Sequence, residues 1–220
     1  IQTNKDMRLS DCQPVYYQGK VVWYVTDNST PVFYALKGNS GSVVTGLAKG
    51  PEDKWYYYKN GSIDTSFTGL AENEQGWWYV NQGKLIFEYT GLVQNEVGWW
   101  YVNHGKAMLD YTGLAQNEQG WWYINHGQVI FDYTGLVQNE VGWWYVNHGK
   151  VIFDYTGLVY DSVLGWRYVN GGIVNFGASG LVENESGWWY LQNGTIDFNY
   201  TGLAYDPVVG WWYVANAKID

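Results

Sequence analysis

A single cysteine, Cys12, stands in 220 residues, so no internal disulfide can brace the chain. Cys12 is either an inert thiol in a terminal cap, the simpler reading, or a link between two chains. No run of basic residues offsets a formal charge of −9, which argues against a nucleic-acid backbone as partner. No apolar run approaches the ~20 residues that a membrane helix needs, so no membrane insertion is expected, and no signal peptide is visible. No window sustains a 3.6-residue period, and little or no helix is expected. The nucleophile-elbow, phosphate-loop and Cys/His signatures of common enzymes and cofactor sites are missing. The stretch Asp197-Phe198-Asn199-Tyr200-Thr201-Gly202 faintly echoes a calcium loop, but Val208 stands where the bidentate Glu is required. No metal, cofactor or catalytic group is therefore expected.

What the chain has instead is a repeat rich in aromatic residues. Trp, Tyr and Phe make up 20% of the residues. A Thr-Gly-Leu or Ser-Gly-Leu mark begins at Thr45, Thr68, Thr90, Thr112, Thr134, Thr156, Ser179 and Thr201, in steps of 22 or 23 residues. A fixed period of this length is the signature of a repeat array.

Each copy has one grammar. A strand-favouring run such as Trp143-Trp144-Tyr145-Val146 is followed by Asn147-His148-Gly149-Lys150, then by a second run, Val151-Ile152-Phe153-Asp154-Tyr155. Two such runs around a glycine-containing turn predict a β-hairpin. Asn60-Gly61 and Asn193-Gly194 occupy the turn in divergent copies, and both residue types tolerate the positive φ of a type I′ turn. The connector Leu136-Val137-Gln138-Asn139-Glu140-Val141 is mostly polar and links one hairpin to the next. A lone 22-residue hairpin buries too little surface to stand by itself, whereas stacked copies cover one another. The expected fold is all-β, an elongated solenoid of stacked β-hairpins.

A two-residue loop at His148-Gly149 would pair Val146 with Val151 and Trp144 with Phe153. Trp144, Val146, Val151, Phe153 and Tyr155 would then share the core face, and Trp143, Tyr145, Lys150, Ile152 and Asp154 the other. A three-residue loop would exchange Trp143 for Trp144.

Residues 1–44 depart from the period and are expected to form a divergent cap or first hairpins ahead of the array at 45–220. Within them, Val15 to Val25 reads as a hairpin with Gly19 near its turn. Val32 to Leu36 reads as a strand, followed by a loop over residues 37–41. Four close copies carry Trp77-Trp78, Trp99-Trp100, Trp121-Trp122 and Trp143-Trp144. A divergent copy has Trp166-Arg167, and two more have Trp188-Trp189 and Trp211-Trp212. The chain opens at Ile1 and stops at Asp220, inside what should be a second strand, which suggests a mature or excised piece of a longer protein.

Thr-Gly-Leu, a connector, Trp-Trp-Tyr-Val and Asn-x-Gly together resemble the bacterial cell-wall-binding repeats, the superfamily of choline-binding and glucan-binding repeats, over about residues 45–220. The resemblance implies a non-catalytic module of a Gram-positive cell surface or secreted protein. Such a module anchors its parent to cell-wall polymer or other polysaccharide through aromatic sites between successive hairpins. It also implies a Trp after Thr-Gly as one wall of a choline cage. Here that position is Leu47, Leu70, Leu92, Leu114, Leu136, Leu158, Leu181 and Leu203, so every copy lacks that wall. The added second Trp either rebuilds a site or simply packs, and flat aromatic rings also suit stacking on sugars.

Adjacent Trp side chains on a strand point to opposite faces, so one of each pair must meet a neighbouring hairpin, a ligand or solvent. The candidate ligand-binding set is Trp77, Tyr79, Trp99, Tyr101, Trp121, Tyr123, Trp143 and Tyr145. Alternative partners are a host glycan or protein, as for an adhesin, or none, as for a structural stalk. The open end of a solenoid is also available to pair two copies. His104, His126 and His148 share one position and read as turn residues, since His tolerates positive φ. The recurrent carboxylates, among them Glu96, Glu140, Asp110 and Asp154, read as a solvated polar edge.

Overall fold

A computed structural model describes residues 13–17, 20–27, 30–37, 40–43, 45–208 and 210–219, with those before residue 44 as backbone only. The chain is all-β and built from antiparallel hairpins repeating about every 22 residues. Among the described residues there is no α-helix, and none long and apolar enough to cross a membrane. Two compact units form, Ile1–Tyr111 with His126–Gln128, and Thr112–Asn125 with Val129–Asp220.

The first unit begins with an antiparallel meander of four strands, Gln13–Tyr17, Lys20–Asp27, Thr30–Lys37 and Ser40–Val43. The expected hairpin from Val15 to Val25 is present, with Tyr17 opposite Lys20; its turn residues and Cys12 lie outside the described residues. The expected strand Val32 to Leu36 is longer than its pattern suggested; of the expected loop over 37–41, Lys37, Ser40 and Gly41 are strand, and residues 38 and 39 lie outside the described residues.

A repeat of the second unit shows how the period works. Gly135–Gln138 pairs with Trp143–Asn147, which pairs with the two-residue strand Lys150–Val151. The two-residue loop is as expected, with Val146 opposite Val151 and Asn147 opposite Lys150. His148 and Gly149 have φ of 48° and 75°, the positive pair that a type I′ turn requires. His104 and His126 occupy the same conformation, at 47° and 48°.

Three expectations are corrected. The connector is not simply a link, because its first residues form the longest partner of the Trp-Trp strand: Leu136 lies opposite Tyr145 and Val137 opposite Trp144. The second run is strand only over Lys150–Val151, so Trp144 does not pair with Phe153. Phe153 is consequently no core residue; it is 50% exposed, in a turn where alternation no longer governs which way a side chain points. Tyr155 leaves the Trp144 face for the same reason and packs on Tyr145, with ring centroids 4.2 Å apart.

The Thr-Gly mark is explained by the turn. The His148 N–H donates to Thr134 Oγ1 at 3.2 Å, and the Thr134 hydroxyl donates to Asn147 Oδ1 at 3.1 Å. Ser179 accepts from Asn193 N–H in the same way, so the position asks for a hydroxyl rather than for threonine itself.

Repeats are joined through the turn glycine. The Gly149 N–H donates to the Tyr133 carbonyl at 2.8 Å, and the Gly149 carbonyl accepts from the Tyr123 N–H at 2.7 Å. A Cβ on Gly149 would stand 2.5 Å from the Ile130 carbonyl oxygen and 2.9 Å from Phe131 Cα. The same bonds recur at Gly83 and Gly105 in the first unit and at Gly172 and Gly194 in the second. Ala217 holds the position in the last copy, at φ 66° and with both bonds kept, so a methyl group is tolerated where the adjoining loop yields.

Gly149→Ala should therefore destabilise without preventing folding, by roughly 2–3 kcal/mol from positive φ and overpacking together. At Gly171, φ is 60° but a Cβ there would meet no atom nearer than 3.8 Å, so Gly171→Ala should cost only about 1–2 kcal/mol. Urea unfolding midpoints of the two variants decide the matter; equal losses would mean that close approach contributes nothing.

Candidate functional site

Both faces of the hairpin at residues 135–151 are covered, one by the preceding repeat and one by the following repeat. Val137, Val146 and Val151 form a buried cluster with Leu114 of the preceding repeat; Trp121, Tyr123 and Tyr133 from that repeat and Trp144 from their own pack against it. On the forward side, Leu136 joins Val159, Val169 and Val174, surrounded by Trp143, Tyr145, Tyr155 and Leu164. The expected division of Trp144 from Trp143 and Tyr145 thus holds, and each face ends in a junction between repeats.

All eight residues of the expected set are half-buried. Trp77 and Tyr79 meet Tyr89 and Trp100 around Leu70, Val93 and Val102. Trp121 and Tyr123 meet Tyr133 and Trp144, and Trp143 and Tyr145 meet Tyr155. Tyr101 lies 4.4 Å from Tyr111, centroid to centroid, and Trp99 stands two residues before it on the same strand. Trp77 with Tyr79, Trp121 with Tyr123, and Trp143 with Tyr145 are thus each a pair at one junction.

Sequence reasoning missed two contributors. The first is the loop tyrosine: Tyr79 and Tyr89, Tyr123 and Tyr133, and Tyr145 and Tyr155 approach to 4.1–4.2 Å. Their constant spacing of ten residues is a signal that could have found them. The second is the second Trp of the next repeat, which strand alternation assigns to the core alone. Its indole N–H donates to a connector Asn, as from Trp144 to Asn139 Oδ1 at 3.0 Å. Its ring meets a half-exposed Phe edge-on, as for Trp122 with Phe131 and Trp144 with Phe153.

The leucine after Thr-Gly is core. Leu47 to Leu181 are at most 9% exposed, while Leu203 of the last copy is 63% exposed. The junction is thus walled by Trp, Tyr and Tyr from one repeat and by Trp from the next, around an aliphatic floor that includes this leucine.

The residue after the turn glycine lies over the preceding repeat. Lys106, Lys150 and Lys218 place Nζ 5.4–5.6 Å from the ring centroids of Trp78, Trp122 and Trp189, within the range of a cation–π contact. Ile173 takes this place opposite Trp144. At Gly76 and Gly120, ahead of two of the Trp pairs, φ is 124° and 135°, a region that favours glycine. Burial, and then the neighbouring Tyr123, hold the Tyr133 hydroxyl above its ordinary value; burial and Tyr145 act likewise on Tyr155. Electron-rich ring faces suit a cation with no hydrogen-bond donors, or the apolar face of a sugar.

A family model described as a choline-binding repeat matches residues 43–64, 66–86, 88–107, 110–130, 132–152, 177–197 and 199–220. The unmatched interval 153–176 holds Arg167 where other copies have the second Trp. No curated protein matches the chain.

Asn139 Oδ1 accepts from the N–H groups of Val141 and Gly142 and from the Trp144 indole, at 3.0–3.2 Å. Asn139→Ala should cost about 2–4 kcal/mol at roughly 1 kcal/mol per bond, measured by urea unfolding, and should shift Trp144 emission. The raised tyrosines predict an alkaline limit. Their contribution is complete below the ordinary phenol value of 10.0 and is lost as pH rises through their folded-state values. A thermal midpoint that stayed constant well beyond that pH would show these phenols to be solvated.

Proposed function

This chain belongs to the choline-binding repeat family, and on that premise we propose that it is a non-catalytic cell-surface module. It holds a cell-wall polymer bearing quaternary ammonium groups in the aromatic junctions between its repeats. The observation that carries this reading is the four-ring junction, Trp121, Tyr123, Tyr133 and Trp144. A trimethylammonium group offers no hydrogen-bond donors, so ring faces and an apolar floor are the environment that favours it over water. The second Trp takes the place of the wall lost where leucine follows Thr-Gly. A formal charge of −9 adds long-range attraction for a cationic ligand.

Each junction binds weakly. Two or three cation–π faces at about 1–2 kcal/mol each give a dissociation constant of about 1 mM, and repetition along a polymer supplies the avidity. Residues 1–44 serve as a cap in this reading. Its basis is that Val32 of the meander pairs with Ser62 of the first repeat, in the way Trp122 pairs with Lys150 between repeats.

A second reading, stacking on polysaccharide, is favoured by Phe131, Phe153, Phe176 and Phe198 of the second unit and Phe87 of the first, each about half exposed. The two separate in one titration of intrinsic Trp fluorescence. Choline and tetramethylammonium should give a saturable change that Trp121→Ala and Trp77→Ala each diminish, while glucose and N-acetylglucosamine oligomers give none. A response to the sugars and not to the ammonium ions would sink the first reading in favour of the second.

A further inference from the structure

The divergent repeat at 153–176 carries a different chemistry at its junction. Arg167 stands where the other close copies present the second Trp, and it is one of only two arginines in the chain, with Arg8. It lies directly opposite Val159 and two residues before Val169. Both valines belong to the cluster of Leu136, Val159, Val169 and Val174 that Trp143, Tyr145 and Tyr155 surround. Cross-strand partners and alternate residues share a face, so the Arg167 side chain rises on the face that carries this junction.

Its hydrogen bonds are incomplete. Nη1 donates to the Trp166 carbonyl at 2.8 Å, while Nε is buried and has no acceptor. Asp161, the carboxylate of its own connector, has its Oδ1 taken by the N–H groups of Val163 and Leu164 at 2.9 and 2.8 Å. No carboxylate pairs with Arg167 among the described residues. A buried donor without a partner costs about 1–3 kcal/mol, and a guanidinium recovers most when a planar or tetrahedral oxyanion accepts from Nε and an adjacent Nη together.

We propose that the junction of Trp143, Tyr145, Tyr155 and Arg167 is an anion site, which takes a carboxylate or phosphate group through Arg167 while the rings line its other side. The replacement of Trp by Arg turns a position that presents an electron-rich face into one that presents a positive fork. One repeat of the array thereby recognises charge of the opposite sign from the rest. The proposal stands on Arg167 and holds whether or not the other junctions take ammonium ions.

With two arginines, the Nε–H region of a 15N–1H NMR spectrum of the full chain is nearly empty, and Arg167→Lys assigns the Arg167 signal by removing it. Titration at constant ionic strength with inorganic phosphate, methyl phosphate or sodium glucuronate should move that signal saturably, leave Arg8 in place, and change Trp emission. Sodium chloride should not. Response to the phosphates alone, or to glucuronate alone, names the source of the anion. Arg167→Trp restores the residue of the other repeats, so it should fold as stably as the parent by thermal unfolding and bind the responding anion roughly tenfold or more weakly. The proposal is overturned if no probe moves the Arg167 signal, if Arg8 moves equally, or if Arg167→Trp binds the anion unchanged.

Discussion

The peptide group of the turn glycine is where one repeat is attached to the next. Its N–H and carbonyl are both taken by the preceding copy, as Gly149 shows with Tyr133 and Tyr123, and an N–H or carbonyl buried in such a place must find a partner. The rest of the repeat serves that contact. The positive φ of His148 and Gly149 points the peptide outward, the Thr134 hydroxyl holds the turn closed, and the absent side chain lets the Ile130 carbonyl come near. The following strand, Lys150–Val151, then pairs with both its own Trp-Trp strand and the preceding one.

From this attachment follows the placement of the aromatics. A two-residue strand between the Trp-Trp strands of successive repeats leaves a hairpin such as that at residues 135–151 with a covered back face and a covered forward face. A repeat so thin has few aliphatics to bury, and each aromatic ring removes ~150–250 Å² from water. Rings that are candidates for ligand contact therefore also carry packing. Trp121 and Tyr123 rest on Leu114, Val137, Val146 and Val151 and still keep an open edge.

The same economy explains how one architecture accommodates different side chains at equivalent positions. The backbone contacts that join repeats involve Gly, Tyr N–H and Tyr carbonyl groups and make no demand on the second residue of the Trp pair. That residue is free to be Trp, Arg or Tyr, and the residue laid across it to be Lys, Gln or Ile, with the repeat-to-repeat bonds unchanged at Gly127 and Gly172.

By itself, the sequence determined the period and the all-β class and favoured the two-residue turn over a three-residue one, because these rest on local chemistry: positive φ at Asn-Gly or His-Gly, strand-favouring runs and a fixed spacing. It also separated Trp144 from Trp143 and Tyr145, since alternation along a strand is a local property. Only the tertiary structure decided which run pairs most extensively with the Trp-Trp strand. Two flanking segments were available, and the polar-looking connector, through Leu136 and Val137, prevailed over the run ending in Phe153 and Tyr155. It likewise decided that the leucine after Thr-Gly lies inside and that Tyr133 and Trp144, 11 residues apart in sequence, meet at one junction. Such choices depend on what a neighbouring repeat covers, which no single copy of the repeat contains.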